Sequence, residues 1–321
     1  MKTAKENRGY PFITFALPVL NEKQRIQHCL KSIFTQDYPK DKLEVLVIDG
    51  GSIDNTVELA KNFPVKVIFN KNRDPESGNS LGIRAARGSI LVFFAADHEL
   101  ASESWLRKMI RPFLEEDQIF GVKCSWLTEK NDPIINRYCT YLQIADPLAR
   151  YLDAETTKEV EERGDYRIII ATKEDPPVIG ADLIWRKDVI LRVGGYLPKF
   201  EETNFVSRVI THGYNRYAEV LDVGIYHSYV RNLQDFIKKR VKIGRKFSKR
   251  IKQKQATWVN KKGRGRFLKS LLLCITLIKP ATESIHEYRK TRDIAWFLHP
   301  FMCFLTVLTY SFTLIASIIR R

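Results

Sequence analysis

Two carboxylates one residue apart, Asp97 and Glu99, follow the apolar run Ile90 to Phe94, which is entered from Gly88. The run is short, β-branched and aromatic, and reads as a buried strand. Acids just past such a strand stand at the carboxyl edge of a sheet, where open α/β sheets bind ligands. At this spacing they could share one divalent cation through oxygen ligands. The plainer alternative is a solvated strand-to-helix turn, with Asp97 or Ser102 capping a helix near Glu103. Asp49 ends a second apolar run, just before Gly50-Gly51-Ser52, whose glycines permit a tight turn and close approach of backbone to a ligand. Glu201 and Glu202 stand where another helix begins, a place that favours acids through the helix dipole alone. His227 follows a late strand and fits a structural or a site histidine equally.

The elements that would position these residues alternate. Phe12 to Leu17 is a strand, ended by Pro18, and Asn21 caps a helix that opens at Glu22 and buries Ile26, Leu30, Ile33 and Phe34. Leu43 to Ile48 is the second strand. Ser52 or Asp54 then caps a helix with Val57, Leu59 and Ala60. Val65 to Phe69 is the third strand, Asn70 to Gly78 a polar, flexible passage, and Ser80 to Arg87 a helix leading to the Ile90 strand. Trp105 to Leu114 reads as helix and Ile119 to Trp126 as strand. The acidic passage from Asp146 to Pro177 reads as disorder or a functional loop. Order resumes at Val178 to Trp185, followed by a helix from Lys187, a turn at Gly194-Gly195, a helix to about His212 and a strand from Ala218 to Tyr226. Strands alternating with short helices predict an α/β fold with a mainly parallel, helix-covered sheet.

The chain has 321 residues, 44% of them hydrophobic, enough for a sizeable core. Five scattered cysteines without a C-x-x-C pair argue against a disulfide framework or a zinc site and fit a reducing compartment. The polar start, Met1 to Arg8, has no apolar core of a cleavable signal peptide. Of the net charge of +16, all but two charges come from Arg231 to Arg266, where 15 Lys/Arg face one acid, Asp235. There Ile237, Val241, Gly244, Phe247 and Ile251 form one apolar stripe on a basic amphipathic helix, suited to anionic lipid. Ser270 to Ile278 is apolar but too short to span a bilayer, and reads as interfacial or as part of a shallow hairpin. Ile294 to Ile319 carries no formal charge and is long enough to span. The larger basic excess lies before that segment, which puts the N-terminal part in the cytoplasm.

Taken together the motifs resemble the family 2 glycosyltransferases, inverting enzymes of GT-A fold. Pro18-Val19-Leu20-Asn21-Glu22 and Asp49-Gly50-Gly51-Ser52-Ile53-Asp54 match that family's opening. Gly88 to Asp97 falls on Gly-x-x-x-x-Phe-Leu-Asp-x-Asp. Gly194-Gly195-Tyr196 with Glu201-Glu202 falls on its late Glu-Asp motif, and Tyr226-His227 on a tyrosine-histidine step. The resemblance covers residues 10 to about 230, and the basic tail looks like that of membrane-attached members. It implies three regions: a transferase domain at 1–230, a basic amphipathic segment at 231–266 and membrane-associated helices at 267–321.

The resemblance also implies roles. Pro18, Leu20 and Glu22 would border the base and ribose, and Asp49 would accept hydrogen bonds from the base. Asp97, with Glu99, would hold Mg2+ or Mn2+. Glu202 would be the catalytic base, Glu201 would contact substrate, and His227 would meet the diphosphate or metal. The partners implied are a nucleotide-diphosphate sugar, a lipid-linked or glycan acceptor and anionic membrane lipid, not nucleic acid, with the catalytic domain on the cytoplasmic side of the cell membrane. Two positions depart from the pattern. Ala95 replaces the first acid of Asp-x-Asp, and Glu-Asp has become Glu-Glu. They keep a degenerate, inactive membrane scaffold as the alternative. A nucleotidyltransferase lacks support, because the glycine- and lysine-rich N-terminal loop expected there is missing.

Overall fold

The computed structural model describes residues 9–154, 158–172, 184–195, 197–252 and 261–319. Of these, 9–127, 158–172, 184–195 and 197–227 form one compact unit, and 128–154, 228–252 and 261–319 a second.

Among the described residues, the first unit is built on a ten-stranded sheet. β1 (Ile13–Val19), β2 (Leu43–Asp49), β3 (Lys66–Phe69) and β4 (Ile90–Phe93) are parallel in the order β3-β2-β1-β4. The inner positions of β1, β2 and β4 are mostly apolar, as a helix-covered parallel sheet requires, the main exception being the buried, hydrogen-bonded Thr14–Glu44 pair. Beyond β4 the sheet is mixed. β9 (Ile184–Arg186) runs antiparallel between β4 and β6 (Ile119–Leu127), and β10 (Arg216–His227) is parallel to β6. β5 (His98–Leu100) pairs antiparallel with β10. The helices α1 (Ile26–Phe34), α2 (Thr56–Ala60), α3 (Pro75–Ala85) and α4 (Trp105–Glu115) link these strands.

Several local expectations are corrected. β1 does not stop at Pro18 but pairs with β2 through Val19↔Asp49. The Ala16 carbonyl accepts from Phe94 on the β4 side, and Pro18, two residues on, has its missing donor on that same side. The β4 ladder ends at Ala16↔Phe93, so no bond is lost. Asn21 does not cap α1. It is left-handed (φ 57°), and the turn into α1 closes on the Glu22 carbonyl, which accepts from Arg25 and Ile26 at 2.9 Å. Asn70 to Gly78 is not flexible, because α3 starts at Pro75 with Asp74 as its cap, accepting from the Ser77 N–H at 2.9 Å. Asp-Pro-Glu is a helix start that the apolar periodicity overlooks.

The acidic passage is largely ordered where it is described. α5 (Ile134–Tyr141), which the sequence did not suggest, precedes it, and α6 (Pro147–Ala154) opens it. β7 (Lys158–Glu162) and β8 (Tyr166–Ala171) form a hairpin at the sheet edge. Two of its acids pair with the rest of the unit, Glu161 with Arg216 of β10 at 3.0 Å and Asp165 with Arg111 of α4 at 2.6 Å. Charge on an edge strand protects it from further pairing. The expected strand start at Val178, the Pro176-Pro177 pair and Tyr196 lie outside the described residues.

The second unit consists of α5, α6, α9 (Leu233–Lys252), α10 (Lys261–Thr276), α11 (Ile278–Thr291) and α12 (His299–Ile319). The fully buried line of α9 is Phe236, Arg240, Gly244 and Ser248; of the predicted stripe Gly244 lies on it, while Ile237, Val241 and Phe247 are half-buried beside it. The difference arises because Arg240 is buried as an ion pair with Asp146, with Tyr229 and Tyr310 adding bonds. A buried charge is tolerable only with such partners. At Gly244 the α9 backbone comes so close to α12 that a Cβ would overlap Thr313 and Tyr310. The apolar C-terminal stretch is not one helix. A 3-10 turn, Ile294–Leu298, precedes α12. Ile294–Ser317 is the one stretch among the described residues long and apolar enough to cross a membrane.

The inner face of α12 is mixed: His299, Cys303, Thr306, Thr309 and Thr313 are buried beside Met302 and Val307, while Phe301, Phe304, Leu308, Phe312 and Ile315 are exposed. The Thr306 and Thr309 hydroxyls donate to carbonyls four residues back, both at 2.7 Å, so the inner face needs no water. Leu268, Leu272 and Ile275 give α10 a similar exposed stripe.

Candidate active site

The carboxyl ends of β1 and β2 are knitted into one surface. The Asn21 N–H donates to Ser52 Oγ at 2.9 Å, and the Ile53 N–H donates back to Asn21 Oδ1 at 3.0 Å. The Glu22 N–H donates to Thr56 Oγ1 at 2.7 Å. Asp49 is buried at the turn and accepts from the N–H groups of Gly51 (2.9 Å) and Ser52 (3.0 Å). Gly51 has φ +84°, which a side chain would resist. Pro18 is backed by Gly78, where a Cβ would come within 2.9 Å of its ring. Leu20 is exposed, and Glu22 is partly buried 3.5 Å from Arg25.

Asp97 follows β4 at the same sheet edge, since β1 and β4 are parallel neighbours. Two imidazoles face it. His98 Nε2 is 3.9 Å from Asp97 Oδ1, and His227 Nε2 is 3.7 Å from Oδ2. One ligand atom from each of the three residues lies within 4.8 Å of the others. β5 makes this possible by pairing with β10 so that His98 stands directly opposite His227. The rings pack edge to face in a row, Phe94 on His98 (5.1 Å between centroids), His98 on His227 (4.2 Å) and His227 on Trp126 (4.7 Å). His98 is a residue that sequence reasoning missed. Its only signal was adjacency to Asp97, and its partner lies 129 positions away.

Glu99 is outside this cluster. Side chains alternate along β5, so Glu99 is exposed on the face opposite His98 and Leu100. Its charge is nevertheless felt nearby. Burial, then the carboxylates of Asp97, Glu99 and Glu22, push the Cys29 thiol well above its ordinary value. Acids from two segments, Glu22 and the Asp97–Glu99 stretch, therefore act on that buried thiol, which donates to the carbonyl of Ala95 at 3.5 Å.

Glu202 is the first residue of α8 (Glu202–Thr211), and Glu201 is its N-cap position. Glu202 is buried, and the Trp185 indole N–H donates to its Oε1 at 2.9 Å. Trp185, on β9, is core rather than pocket lining, packed against Phe120, Phe200 and Phe205.

Residues 14–159 match the family described as Glycosyl transferase family 2. This segment, a little under half of the chain, is similar to family 2 glycosyltransferase domains. Glycosyltransferase AglE of Haloferax volcanii is 36% identical over 104 residues, covering 30% of this chain and 34% of that protein. A Methanococcus voltae protein is 33% identical over 122 residues, covering 35% and 38%. It is named dolichyl N-acetyl-alpha-D-glucosaminyl phosphate 3-beta-D-2,3-diacetamido-2,3-dideoxy-beta-D-glucuronosyltransferase. The chain thus spans little over a third of these curated relatives. Among solved structures, the mannosyltransferase PcManGT from Pyrobaculum calidifontis, in complex with GDP-Man and Mn2+, superposes with a TM-score of 0.56 at 16% identity. That match covers 94% of this chain and 88% of the other, and the shared fold is GT-A-like.

Proposed function

We propose that the protein is a membrane-associated, inverting glycosyltransferase that moves a sugar from a nucleotide-diphosphate donor to a lipid-linked or polysaccharide acceptor at the cytoplasmic membrane face. The observation that carries this reading is the Asp97-His98-His227 cluster at the carboxyl edge of the parallel strands, on the same edge as the joined β1 and β2 loops. That edge is where open sheets of this kind bind nucleotides.

The residues fit a cation. An ion held at about 2.1 Å keeps its ligand atoms roughly 3 to 4.2 Å apart; each imidazole lies within that range of one carboxylate oxygen, and the three ligand atoms, within 4.8 Å of one another, need draw in only slightly to share an ion. When bound, Mg2+ or Mn2+ would neutralise the departing diphosphate. Pro18, Leu20 and Glu22 would border the nucleoside. Asp49, oriented by two backbone donors, would present its remaining lone pairs to the base. Glu202 would take the proton of the acceptor hydroxyl, a task for which Trp185 fixes one oxygen. Glu201 would line the same helix start. Glu99 would add negative charge nearby.

Membrane association is supported by the exposed apolar faces of α10 and α12 and by α9, which presents Lys238, Lys242, Arg245 and Lys249 to solvent. The Methanococcus voltae relative is named for a dolichyl phosphate-linked sugar, which favours a lipid-linked acceptor here. Ala95 favours a second reading, a degenerate transferase that serves as a membrane scaffold.

The test is turnover of UDP- and GDP-sugars by detergent-solubilised full chain, with and without Mn2+, beside Asp97→Asn and Glu202→Gln. Metal-dependent transfer lost in both variants is expected. Turnover gained only in Ala95→Asp would favour the scaffold. A protein that binds no nucleotide sugar under any metal condition overturns the enzyme reading.

A further inference from the structure

The cluster at Asp97 is unusual in its donor set. Where the family pattern has a first acid, this chain has Ala95, and the added ligand candidate is an imidazole from the residue after Asp97. The two histidines approach different oxygens of one carboxylate, at 3.9 and 3.7 Å. Both separations are too long for hydrogen bonds and suit ligands sharing one ion. The geometry is also held. His98 and His227 are buried, paired across two antiparallel strands, and clamped edge to face between Phe94 and Trp126.

We infer that His98 is a direct cation ligand, and that Asp97, His98 and His227 form a two-imidazole, one-carboxylate site that takes Mn2+ or another borderline ion, such as Co2+ or Zn2+, in preference to Mg2+. This rests on the proposed cation site and adds a ligand and a metal preference to it. Mg2+ is held by charge and oxygen ligands in near-ideal octahedral geometry. Replacing a carboxylate with imidazole removes one negative charge and one oxygen, a loss that Mg2+ feels most. Imidazole suits the later first-row ions.

The experiment uses Mn2+ as both probe and ligand. The six-line electron paramagnetic resonance signal of free Mn2+ disappears on binding, so titration of the full chain in detergent gives an affinity, and competition with Mg2+ gives the preference. Both are measured with and without nucleoside diphosphate. Mg2+ should compete only at tenfold or greater excess. His98→Gln should weaken Mn2+ binding at least tenfold and narrow the gap to Mg2+, while Ala95→Asp should improve Mg2+ competition. Pulsed measurements on the wild type should show two coupled imidazole nitrogens, and this readout does not depend on any variant folding.

A single coupled nitrogen in the wild type, or Mn2+ affinity unchanged in a folded His98→Gln, overturns the role of His98 and leaves the glycosyltransferase reading standing. Failure to bind either ion, with or without nucleoside diphosphate, overturns both.

Discussion

The indole N–H of Trp185 donates to Oε1 of Glu202 across 2.9 Å, and both groups are buried. An aromatic core residue therefore aims the proposed base. Trp185→Phe keeps the ring packing and deletes the donor. It should lower kcat about tenfold with little change in KM for the donor, and cost about 1–3 kcal/mol of stability by stranding a buried acceptor. Glu202→Gln should lower kcat by roughly 10²- to 10⁴-fold while nucleotide binding persists. Steady-state kinetics beside thermal melts separate the two effects.

Glu44 offers a pH test away from the site. Burial alone would raise its value, but the Arg87 N–H (2.9 Å), the Thr14 hydroxyl (2.7 Å) and the Arg87 guanidinium (2.8 Å) outweigh burial and hold it below the ordinary 4.5. A depressed folded value adds stability that is fully present above the unfolded value and lost as pH falls through the folded one. Melting temperature should therefore drop below about pH 4.5. Glu44→Gln should show a lower melting temperature at pH 7 and a shallower acid decline. An unchanged acid decline would mean Glu44 is not the group responsible.

The close approach of α9 to α12 predicts a coupled pair. Gly244→Ala should destabilise the second unit by about 1–3 kcal/mol through overpacking. Thr313→Ala removes the hydroxyl that the new methyl meets first. The double variant should recover part of the loss, and a double-mutant cycle by denaturant unfolding reads the coupling. Purely additive losses would contradict the contact.

Proposed membrane association makes separable demands. Lys238→Glu, Lys242→Glu and Lys249→Glu together should weaken sedimentation with anionic vesicles by at least a hundredfold, taking about 1 kcal/mol per basic residue. Salt should mimic that effect. Phe304→Ser with Phe312→Ser should weaken binding to neutral vesicles as well, because it removes apolar contact rather than charge.

Much of the first unit was legible because its strands are apolar runs bounded by turn residues. The placement of Asp49 and Asp97 at strand ends followed directly. The Asp97-His98-His227 cluster did not, because it depends on the three-residue strand β5 finding β10 far along the chain. So short a strand has no periodicity to read. The buried line of α9 is shifted from its apolar stripe for another reason. A buried arginine breaks the rule that the apolar residues mark the inner face, and Asp146, which makes it tolerable, lies 94 positions away. The residue type of Asn21 alone suggests a cap, whereas its bonds go to a neighbouring loop.

The second unit is discontinuous, since α5 and α6 are made before β7 to β10 and their cover afterwards. Leu148, Tyr151 and Leu152 of α6 pack with Cys274 of α10 and with Cys303 and Val307 of α12. A cut at residue 230 would seem to shed only a basic tail, yet it would lay those three side chains open to water. Anyone excising the first unit for crystallisation must therefore redesign residues 128–154 as well. On the ribosome, those early helices wait for most of the chain to emerge before their partners exist, an interval in which a chaperone or a lipid surface would have something to hold.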